Sequence, residues 1–416
     1  MRIGDIRPAA DPAAQRPLEG LRILSLEQMQ ALPFATQLMA HLGAQVIKVE
    51  HPERGDTGRG ATPRAIDHTG REVGATYLRN NLGKRSVGID LKRDAGRDLI
   101  LRMAPHFDVV AENFKAGSLD ALGLGYDAVH AVAPRAIYAS ISGFGNLRPS
   151  PYKRWPAYAP IAEAMSGILE PNRKGDGPPH VVPAQGLGDN ASALFCIIGI
   201  LSALRQRDQT GIGQHVDVAM YDAMIAMADM TPQLHSLGED ASHAAAGRTA
   251  IVAPFRARDG YFVVAVFREH HFEKFAISIG KPEWVGSPEF ATREDWARNI
   301  ESIVRPAVEA WARDKTKLEA SRLFAEQGIA AGPSNAAQDL IDDPHVAAHD
   351  MLIEVPIPDR DPMLLCGNPI KLSGAPEGPV TSFPGLGEHT DAVLREVLAL
   401  SDQEIGELRG AGAIGP

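Results

Sequence analysis

Gly188-Asp189-Asn190 places a carboxylate directly before a long apolar run, Ala191 to Arg207, which is typical of a buried helix. An aspartate at the start of a helix has two explanations. Its side-chain oxygen can cap free N–H groups of the first turn, which is the commoner role. Alternatively, the helix N-terminus keeps the carboxylate ionised, and the carboxylate attacks an acyl group. Because the two roles are compatible, Asp189 is a candidate nucleophile.

The segment Glu27 to Pro33 follows the first predicted strand and is rich in polar groups. In an open α/β sheet, ligands bind beyond the carboxyl ends of the parallel strands. Gln28 and Gln30 are therefore either solvated loop side chains or donors to a ligand. The amide of Gln30, or the neighbouring backbone N–H of Ala31, can donate a hydrogen bond to an oxyanion.

A group of basic side chains could bind a phosphate-bearing ligand, although a solvated charged surface is the commoner meaning of such a pattern. The group consists of Arg59, Lys84, Arg85 and Lys92. Tyr158 lies in the Pro-rich segment PAYAPIAEAMSG, where we expect a partly buried aromatic side chain.

Short apolar strands alternate with amphipathic helices over the first 142 residues. This alternation predicts an α/β fold with an open, doubly wound parallel sheet. The predicted strands are Arg22 to Leu26, Gln45 to Glu50, Val87 to Leu91, Asp108 to Asn113 and Ala136 to Ser142, and the predicted helices between them are Pro33 to Leu42, Asp94 to Met103 and Ser118 to Leu122.

A different rhythm begins at APFRARDGYFVVAVF, which predicts two strands around an Asp259-Gly260 turn, followed by helices near 270–279, 293–312 and 315–327. The tail has a strand-like segment, MLIEVPI, and a last helix around 391–400. We therefore expect a lead-in over 1–20, a large α/β domain beginning at 21–228, a linker over 229–245, a small α+β domain over 246–350, and a return segment over 351–416 that completes the discontinuous large domain.

Several function classes are excluded by composition and motifs. The chain has 42 basic and 52 acidic side chains, a formal charge of −10, which is unsuited to bulk nucleic-acid binding. The segment after the first strand has no glycine-rich turn, so a nicotinamide-dinucleotide site is not predicted. There is no GxxxxGK[ST] phosphate loop and no HExxH zinc motif, and two cysteines give no disulfide framework. We expect no metal site and no tightly bound cofactor.

The N-terminal segment lacks the apolar region of a secretory signal, and no uninterrupted run of about 18 apolar residues occurs. We therefore expect a soluble, cytoplasmic protein that does not bind membranes.

Stretches distributed from about Leu21 to Asp391 resemble the class III CoA-transferases (CaiB/BaiF family), the group that includes formyl-CoA transferase, carnitine CoA-transferase and α-methylacyl-CoA racemase. The matching stretches are GLRILSLEQMQALPFATQLMAHLGAQVIKVEHPERGD, NNLGKRSVGIDLK, DVVAENFKAGSLDALGL, PRAIYASISGFG, the GD of GLGDNAS, GILSALRQRDQTGIGQHVDVAMYDAM, QGIAAGP and LGEHTD. Their number and order make the resemblance specific.

The resemblance implies an acyl-CoA:carboxylate CoA-transferase with Asp189 as the nucleophile and a ping-pong route through an aspartyl-CoA thioester. It also implies that Gln30 and Ala31 lie beside the thioester, that CoA esters and carboxylic acids are the substrates, and that two chains form an interlocked homodimer. The candidate CoA-binding residues are Ala31, His51, Arg59, Lys92, Asn113, Phe114 and Tyr158.

This sequence departs from two members of the family. Racemases have a His-Asp pair where this chain has Tyr158-Ala159, so one base needed for proton exchange at Cα is missing and the transferase is favoured. Formyl-CoA transferase has a Glu at Ala159, Arg residues at His51 and Ala121, and a glycine run that has no counterpart between Leu234 and Ala253. Formyl and oxalyl substrates are therefore disfavoured. The alternatives are an acyl-CoA racemase or isomerase and a CoA-ester-binding protein without turnover.

Overall fold

The computed structural model describes residues 15–172, 177–179, 186–239, 249–358, 360–376 and 380–415. The chain divides into two compact units. The first takes in Met1–Leu169, Val181–Ala228 and His345–Pro416, and the second takes in Glu170–His180 and Asp229–Pro344. Most of the expected lead-in over 1–20, and part of the expected linker over 229–245, lie outside the described residues.

The strands of the described residues are, in chain order, β1 (Arg22–Leu26), β2 (Gln45–Glu50), β3 (Arg64–Ile66), β4 (Glu72–Gly74), β5 (Arg85–Gly88), β6 (Val109–Glu112), β7 (Ile137–Ser142), β8 (His215–Ala219), β9 (Ile251–Ala257), β10 (Gly260–Val266), β11 (Ala330–Pro333), β12 (Leu352–Val355) and β13 (Met363–Cys366).

The α-helices are α1 (Ala31–His41), α2 (Ala75–Leu78), α3 (Asp94–Met103), α4 (Ser118–Ala121), α5 (Tyr126–Val132), α6 (Ala159–Met165), α7 (Leu187–Thr210), α8 (Met220–Met227), α9 (Met230–Ser236), α10 (Glu269–Ser278), α11 (Arg293–Arg298), α12 (Arg305–Ala312), α13 (Lys317–Glu326), α14 (Ala337–Ile341), α15 (Pro344–Ala348), α16 (Thr390–Leu398) and α17 (Asp402–Gly410).

A six-stranded parallel sheet forms the centre of the first unit, with strand order β5-β2-β1-β6-β7-β8. Numbered by their own order along the chain, these strands follow the 3-2-1-4-5-6 order of doubly wound folds. The order reverses between β1 and β6, where Leu26 pairs with Glu112. Ligands bind beyond the carboxyl ends of the strands at such a reversal. The predicted α/β class with an open parallel sheet is confirmed.

Alternate side chains of the central strands enter two separate apolar layers. Ile23 of β1 and Val46 of β2 pack in a layer with α1, α7 and α8. Leu24 and Ile47, the next residue in each strand, pack on the other face with α3, α5 and α16. Because successive strand side chains point to opposite faces, a sheet covered by helices on both sides needs these apolar runs.

The central helix α7 lies against β7, β8 and α1. By length and composition alone it could cross a membrane, but half of its most apolar window is buried inside the protein. Cys196, Ile197 and Ile200 are among its buried residues. The helix predicted from Ala191 is confirmed and begins earlier, at Leu187, but only one side of it is buried, since Leu194 and Ile198 are exposed.

The second unit contains the three-stranded antiparallel sheet β11-β10-β9. The predicted hairpin around Asp259-Gly260 is confirmed as β9 and β10, which pair from Ala257 opposite Gly260. The prediction of a single helix over 293–312 is wrong. It is divided into α11, a π-helical turn at Ile300–Val304 and α12, because Pro306 in the first turn of α12 cannot donate a backbone hydrogen bond.

Two further helices differ from the sequence-based expectation. A helix, α9, occupies part of the segment expected to be a linker. At the C-terminus α16 is not the last helix, because α17 follows it. Ser401 and Glu404 form a capping box at the start of α17, a pattern that is visible in the sequence. Val393 and Leu394 of α16 pack beside β5 in the first unit.

Candidate active site

The loops after β1 and β6 are joined at the reversal of strand order. The backbone N–H of Gln28 donates to Asn113 Oδ1 at 2.8 Å, and Asn113 Nδ2 donates to the carbonyl oxygen of Gln28 at 2.9 Å. Two reciprocal hydrogen bonds fix the relative position of the two loops. These hydrogen bonds connect the two loops that form the floor of the site.

Met29 has a left-handed backbone conformation with φ of +62°, which is uncommon for a residue other than glycine. Its N–H donates to Asp56 Oδ1 at 2.9 Å. The other carboxylate oxygen of Asp56 accepts from Lys48 Nζ at 2.7 Å, and both side chains of this ion pair are fully buried. A buried charge pair thus holds the strained turn that leads into Gln30.

Asp189 lies in the first turn of α7, which begins at Leu187, directly after Gly186. Among the described residues, no hydrogen bond is made by its carboxylate oxygens, so Asp189 does not cap the helix. The N–H of Gly188 is instead taken by Glu163 Oε1 at 3.0 Å. The Asp189 carboxylate is consequently left available to a ligand.

Burial raises the pKa of Asp189 to about 6, and the negative charge of Glu163 adds to this shift, whereas the positive charge of Arg79 opposes it. With a pKa of about 6, about nine-tenths of the carboxyl groups are ionised at pH 7. The carboxylate is also more basic than an ordinary aspartate, and therefore a stronger oxygen nucleophile.

The Gln30 amide and the Asp189 carboxylate converge on Gly186. A Cβ on Gly186 would lie 2.4 Å from Gln30 Nε2 and 3.3 Å from Asp189 Oδ2, and its φ of +75° also favours glycine. Gln30 Nε2 donates to Asn190 Oδ1 at 3.0 Å, and Gln30 Oε1 accepts from Arg79 Nη2. The first turns of α1 and α7 are joined through Gln30.

A cavity of about 440 Å³ opens at this point. Its wall includes Gln30, Ala31, Asn113, Phe114, Tyr158 and Asp189. Ala31 is buried at the first position of α1. Tyr158 is 73% exposed, so the expectation of a partly buried side chain is wrong. It precedes α6 and borders the cavity with its ring in solvent.

A second cavity, of about 370 Å³, continues beyond the first. Gln28, Thr57 and Phe114 line both cavities, so the two are adjacent, and together they are called the path below. His51 and Lys92 lie in the wall of the second cavity. The path thus contains eight of the nine residues that the sequence analysis assigned to the nucleophile, the oxyanion and CoA.

Arg59 is the residue that lies elsewhere. Its Nε and Nη2 donate to Glu50 at 2.7 and 2.8 Å, and Nη2 also donates to the hydroxyl of Tyr77. The side chain is buried in the protein. With these donors committed to protein acceptors, Arg59 is not carried into the CoA site.

The basic group proposed from the sequence is not one surface. Lys84 is buried and donates to Glu27 Oε1 at 2.6 Å, while Arg85 forms an ion pair with Glu396 at 2.7 Å. Of the four residues, Lys92 alone borders the path described above. The expectation of a basic site built from all four residues is therefore wrong.

Three residues of the site were not assigned a role from the sequence. Arg54 lines the second cavity, Arg79 holds Gln30, and Glu163 lies beside Asp189. Arg54 is three residues after His51, a proximity that could have suggested it. Neither Arg79 nor Glu163 has a local signal, because each acts on a residue that is distant in the sequence.

The model of CoA-transferase family III matches residues 18–390. Formyl-CoA:oxalate CoA-transferase of Rhodopseudomonas palustris (strain BisA53) is 33% identical over 96% of this chain and 97% of its own length. Succinyl-CoA:mesaconate CoA-transferase of Haloarcula marismortui is 34% identical over 91% of this chain and 96% of its own length.

A crystal structure of a CaiB/BaiF family protein from Brucella suis superposes with a TM-score of 0.80 at 32% identity. The alignment covers 92% of this chain and all of that chain. Family match, relatives and structure agree over nearly the whole sequence. The chain belongs to CoA-transferase family III and is an enzyme of the CoA-transferase class.

Proposed function

We propose that the protein transfers CoA from a donor acyl-CoA to an acceptor carboxylic acid through a CoA thioester on Asp189. The observation that supports this proposal is the position of Asp189. Its carboxylate has no hydrogen bond within the described residues, its pKa is raised to about 6, and it lies in the wall of a cavity beside the Gln30 amide.

The first half-reaction has two steps, and in each step one bond forms and one bond breaks. An oxygen of Asp189 attacks the donor carbonyl carbon, the C–S bond breaks, and CoA leaves as the thiolate, which leaves a mixed anhydride between Asp189 and the donor acid. The thiolate attacks the carbonyl carbon of the Asp189 side chain, and the donor acid leaves as its carboxylate. The acceptor carboxylate then attacks the aspartyl-CoA thioester, and the same two steps in reverse give the new acyl-CoA and free Asp189. No proton or electron is consumed overall.

Each attack forms a tetrahedral oxyanion, which requires hydrogen-bond donors. Gln30 Nε2 has two N–H groups and uses one on Asn190. The N–H of Ala31 opens α1, where helical N–H groups have no partner within the helix. We assign these two groups to the oxyanion.

We place CoA along the two adjacent cavities. Phe114 and Asn113 lie in the wall near Asp189, where the pantetheine arm reaches the thioester. His51, Arg54 and Lys92 lie in the second cavity, where cations can meet the phosphates. This assignment requires no tightly bound cofactor, because CoA is the substrate.

The residues of the site narrow the range of substrate acids but do not identify one. Ala159, Ala121 and His51 replace charged residues of formyl-CoA transferase, so we propose that oxalate is a poor acceptor here. The segment from Leu234 to Ala253 has no counterpart of the glycine run in formyl-CoA transferase, and part of it, 240–248, lies outside the described residues. Tyr158 supplies no imidazole base, and this argues against racemisation.

The decisive experiment is adduct formation followed by transfer. With succinyl-CoA or acetyl-CoA, we expect a hydroxylamine-sensitive CoA adduct on Asp189 by mass spectrometry, and transfer to at least one acid of a broad panel. Asp189→Ala should lose more than about 10³-fold in rate. Asp208→Ala, at the exposed far end of α7, is the matched control and should keep full activity.

Three other results would overturn the proposal. Full transfer by Asp189→Ala would remove the nucleophile. Exchange of solvent deuterium at Cα without an acceptor acid would favour a racemase or isomerase. Tight binding of CoA esters with neither adduct nor transfer would indicate a binding protein.

We also propose a homodimer. Leu194, Ile198 and Leu201 form an exposed apolar stripe on α7, with Ile198 60% exposed. An apolar stripe on a central helix is suited to a subunit contact. The interlocked form follows from the family resemblance. Light scattering at decreasing concentrations should give a dimer that resists dilution, and a stable monomer would contradict the proposal.

We further propose a soluble cytoplasmic enzyme without nucleic-acid or membrane partners. The buried side of α7 packs in the core of the first unit, and the net charge is −10. Recovery of the native protein in the soluble cytoplasmic fraction should follow, and recovery with membranes would contradict it.

A further inference from the structure

We propose that Arg79 is a positioning residue of the transfer reaction, whose guanidinium fixes which end of the Gln30 amide faces Asp189. The inference rests on the proposed function, in which Gln30 donates to the oxyanion. Arg79 itself does not border the main cavity, whose wall includes both Gln30 and Asp189. Arg79 acts through its hydrogen bond to the side-chain oxygen of Gln30.

The orientation of a glutamine amide depends on its partners. One end of the amide only accepts hydrogen bonds and the other only donates them. Gln30 Nε2 donates to Asn190 Oδ1, but an asparagine amide could equally turn over and donate to Gln30. The Gln30–Asn190 contact alone therefore allows both orientations.

Arg79 removes this ambiguity. Its Nη2 donates to Gln30 Oε1, and a guanidinium has no acceptor atoms. Gln30 Oε1 must therefore face Arg79, and Nε2 must face Asn190 and Asp189. With the amide reversed, a carbonyl oxygen would lie where the tetrahedral oxyanion forms, and the two negative atoms would repel each other.

The backbone of Arg79 is held in register with α1. Gln37, a buried residue of α1, donates from Nε2 to the carbonyl oxygen of Arg79 at 2.7 Å. Gln37 Oε1 also accepts from the N–H of Leu82 at 2.8 Å. Since Gln30 immediately precedes α1, this clamp sets the position of Arg79 relative to Gln30.

The side chain of Arg79 is exposed, so substitutions leave the core intact. We expect Arg79→Met to lower kcat for transfer by about 10-fold or more, because Gln30 then samples both orientations, while KM for the CoA ester and the affinity for free CoA stay unchanged. Arg79→Lys, which can still only donate, should recover most of kcat. Arg79→Glu, which accepts, should draw Nε2 away from Asp189 and be the slowest variant.

A double-mutant cycle separates positioning from a general structural effect. The cycle is measured at pH 8.5, where Asp189 is ionised with or without the charge of Arg79 that lowers its pKa. In a Gln30→Ala background at this pH, Arg79→Met should change kcat by less than about 2-fold, since no amide remains to be oriented. Arg102→Met, on the exposed side of α3, is the matched control and should match the wild type. Equal losses from Arg79→Met in both backgrounds would overturn the inference, as would equal rates for the Lys and Glu variants.

The cycle also distinguishes failure of the inference from failure of the proposed function. If Gln30→Ala loses activity and Arg79→Met does not, the orientation argument is wrong and the oxyanion role of Gln30 stands. If Gln30→Ala keeps full activity, the oxyanion role fails, and the inference falls with it.

Discussion

The Glu163 carboxylate accepts the backbone N–H of Gly188 at 3.0 Å, one residue before Asp189. Glu163 is a buried residue of α6. It affects α7 in two ways. It satisfies a free N–H of the first helical turn, and its negative charge helps to raise the pKa of Asp189. The same contact thus links the geometry of the nucleophile to its basicity.

Replacing Glu163 by Gln should shift the pH dependence of adduct formation. In the wild type, the rate falls as pH drops through about 6, because a protonated Asp189 is not a nucleophile. Glu163→Gln keeps an oxygen for the Gly188 N–H and removes the charge, so the midpoint should move lower by about 0.5 to 1 unit. Single-turnover rates between pH 4.5 and 8 measure it.

The exposed Glu326→Gln on α13 serves as the control for that shift and should leave the midpoint unchanged. A midpoint that stays near 6 in Glu163→Gln would show that burial alone sets the pKa of Asp189.

Asp56→Ala should destabilise the fold strongly. The substitution leaves the buried cation Lys48 with Glu27 alone, at 3.4 Å and shared with Lys84, so one buried positive charge is uncompensated. We expect this to cost about 3 to 5 kcal/mol in free energy of unfolding. The substitution also frees the N–H of Met29, so activity should fall in the protein that remains folded. Urea unfolding at pH 7 measures the first effect.

An exposed ion pair provides the comparison for Asp56. Asp402 pairs with Arg395 at 2.8 Å, and its side chain is 87% exposed. Asp402→Ala should cost less than about 1 kcal/mol. Similar losses for the two variants would mean that burial of the Lys48–Asp56 pair has no energetic consequence.

The sheet was predictable because each strand has a clear pattern in the local sequence. β1 and β2 have the bounds that apolar runs between turns indicate, and burial on both faces explains why these runs do not alternate. The position of Asp189 at a helix start was readable for the same reason. The helix α17 was not predicted, although its capping box, Ser401 with Glu404, is local in the sequence.

The ion pairs were not predictable from local patterns. Glu27 meets Lys84 across 57 positions of sequence, and both are buried. Charged residues are on average exposed, so each is typical of a solvated surface until its partner is known. This is why the sequence alone predicts a binding site for Arg59 and Lys84, and why only the structure shows the link from Arg79 to Gln30.

Glu112→Gln should stabilise the protein at neutral and alkaline pH. Burial raises the pKa of Glu112 to about 8, with added repulsion from Asp217 and Asp120 and opposition from the N–H of Phe114. Ionisation is therefore less favourable in the folded state than in the unfolded state. The stability penalty is absent below about pH 4.5, grows as pH rises towards 8, and is constant above it.

Gln keeps the oxygen that accepts the Phe114 N–H at 2.7 Å and removes the charge. We expect the free energy of unfolding to rise by up to about 3 kcal/mol at pH 7, with a smaller gain at pH 5. Urea titrations of both proteins at pH 5, 7 and 8 measure the trend. A gain that is independent of pH would contradict it.

Arg54→Ala should weaken the binding of CoA esters without slowing the chemical step. Arg54 lies in the wall of the second cavity with His51 and Lys92, and within the described residues its guanidinium has no hydrogen bond or ion pair. A free cation there can pair with a CoA phosphate. We expect KM for the CoA ester to rise about 10-fold, with kcat changed less than about 2-fold.

Ionic strength gives an independent readout for Arg54. Because the lost contact is electrostatic, the KM of Arg54→Ala should depend less on salt than that of the wild type. Arg322→Ala, which removes an exposed arginine of α13 paired with Glu326, is the matched control and should leave KM unchanged. An unchanged KM in Arg54→Ala would contradict the prediction and would leave Lys92 as the main cation for the phosphates.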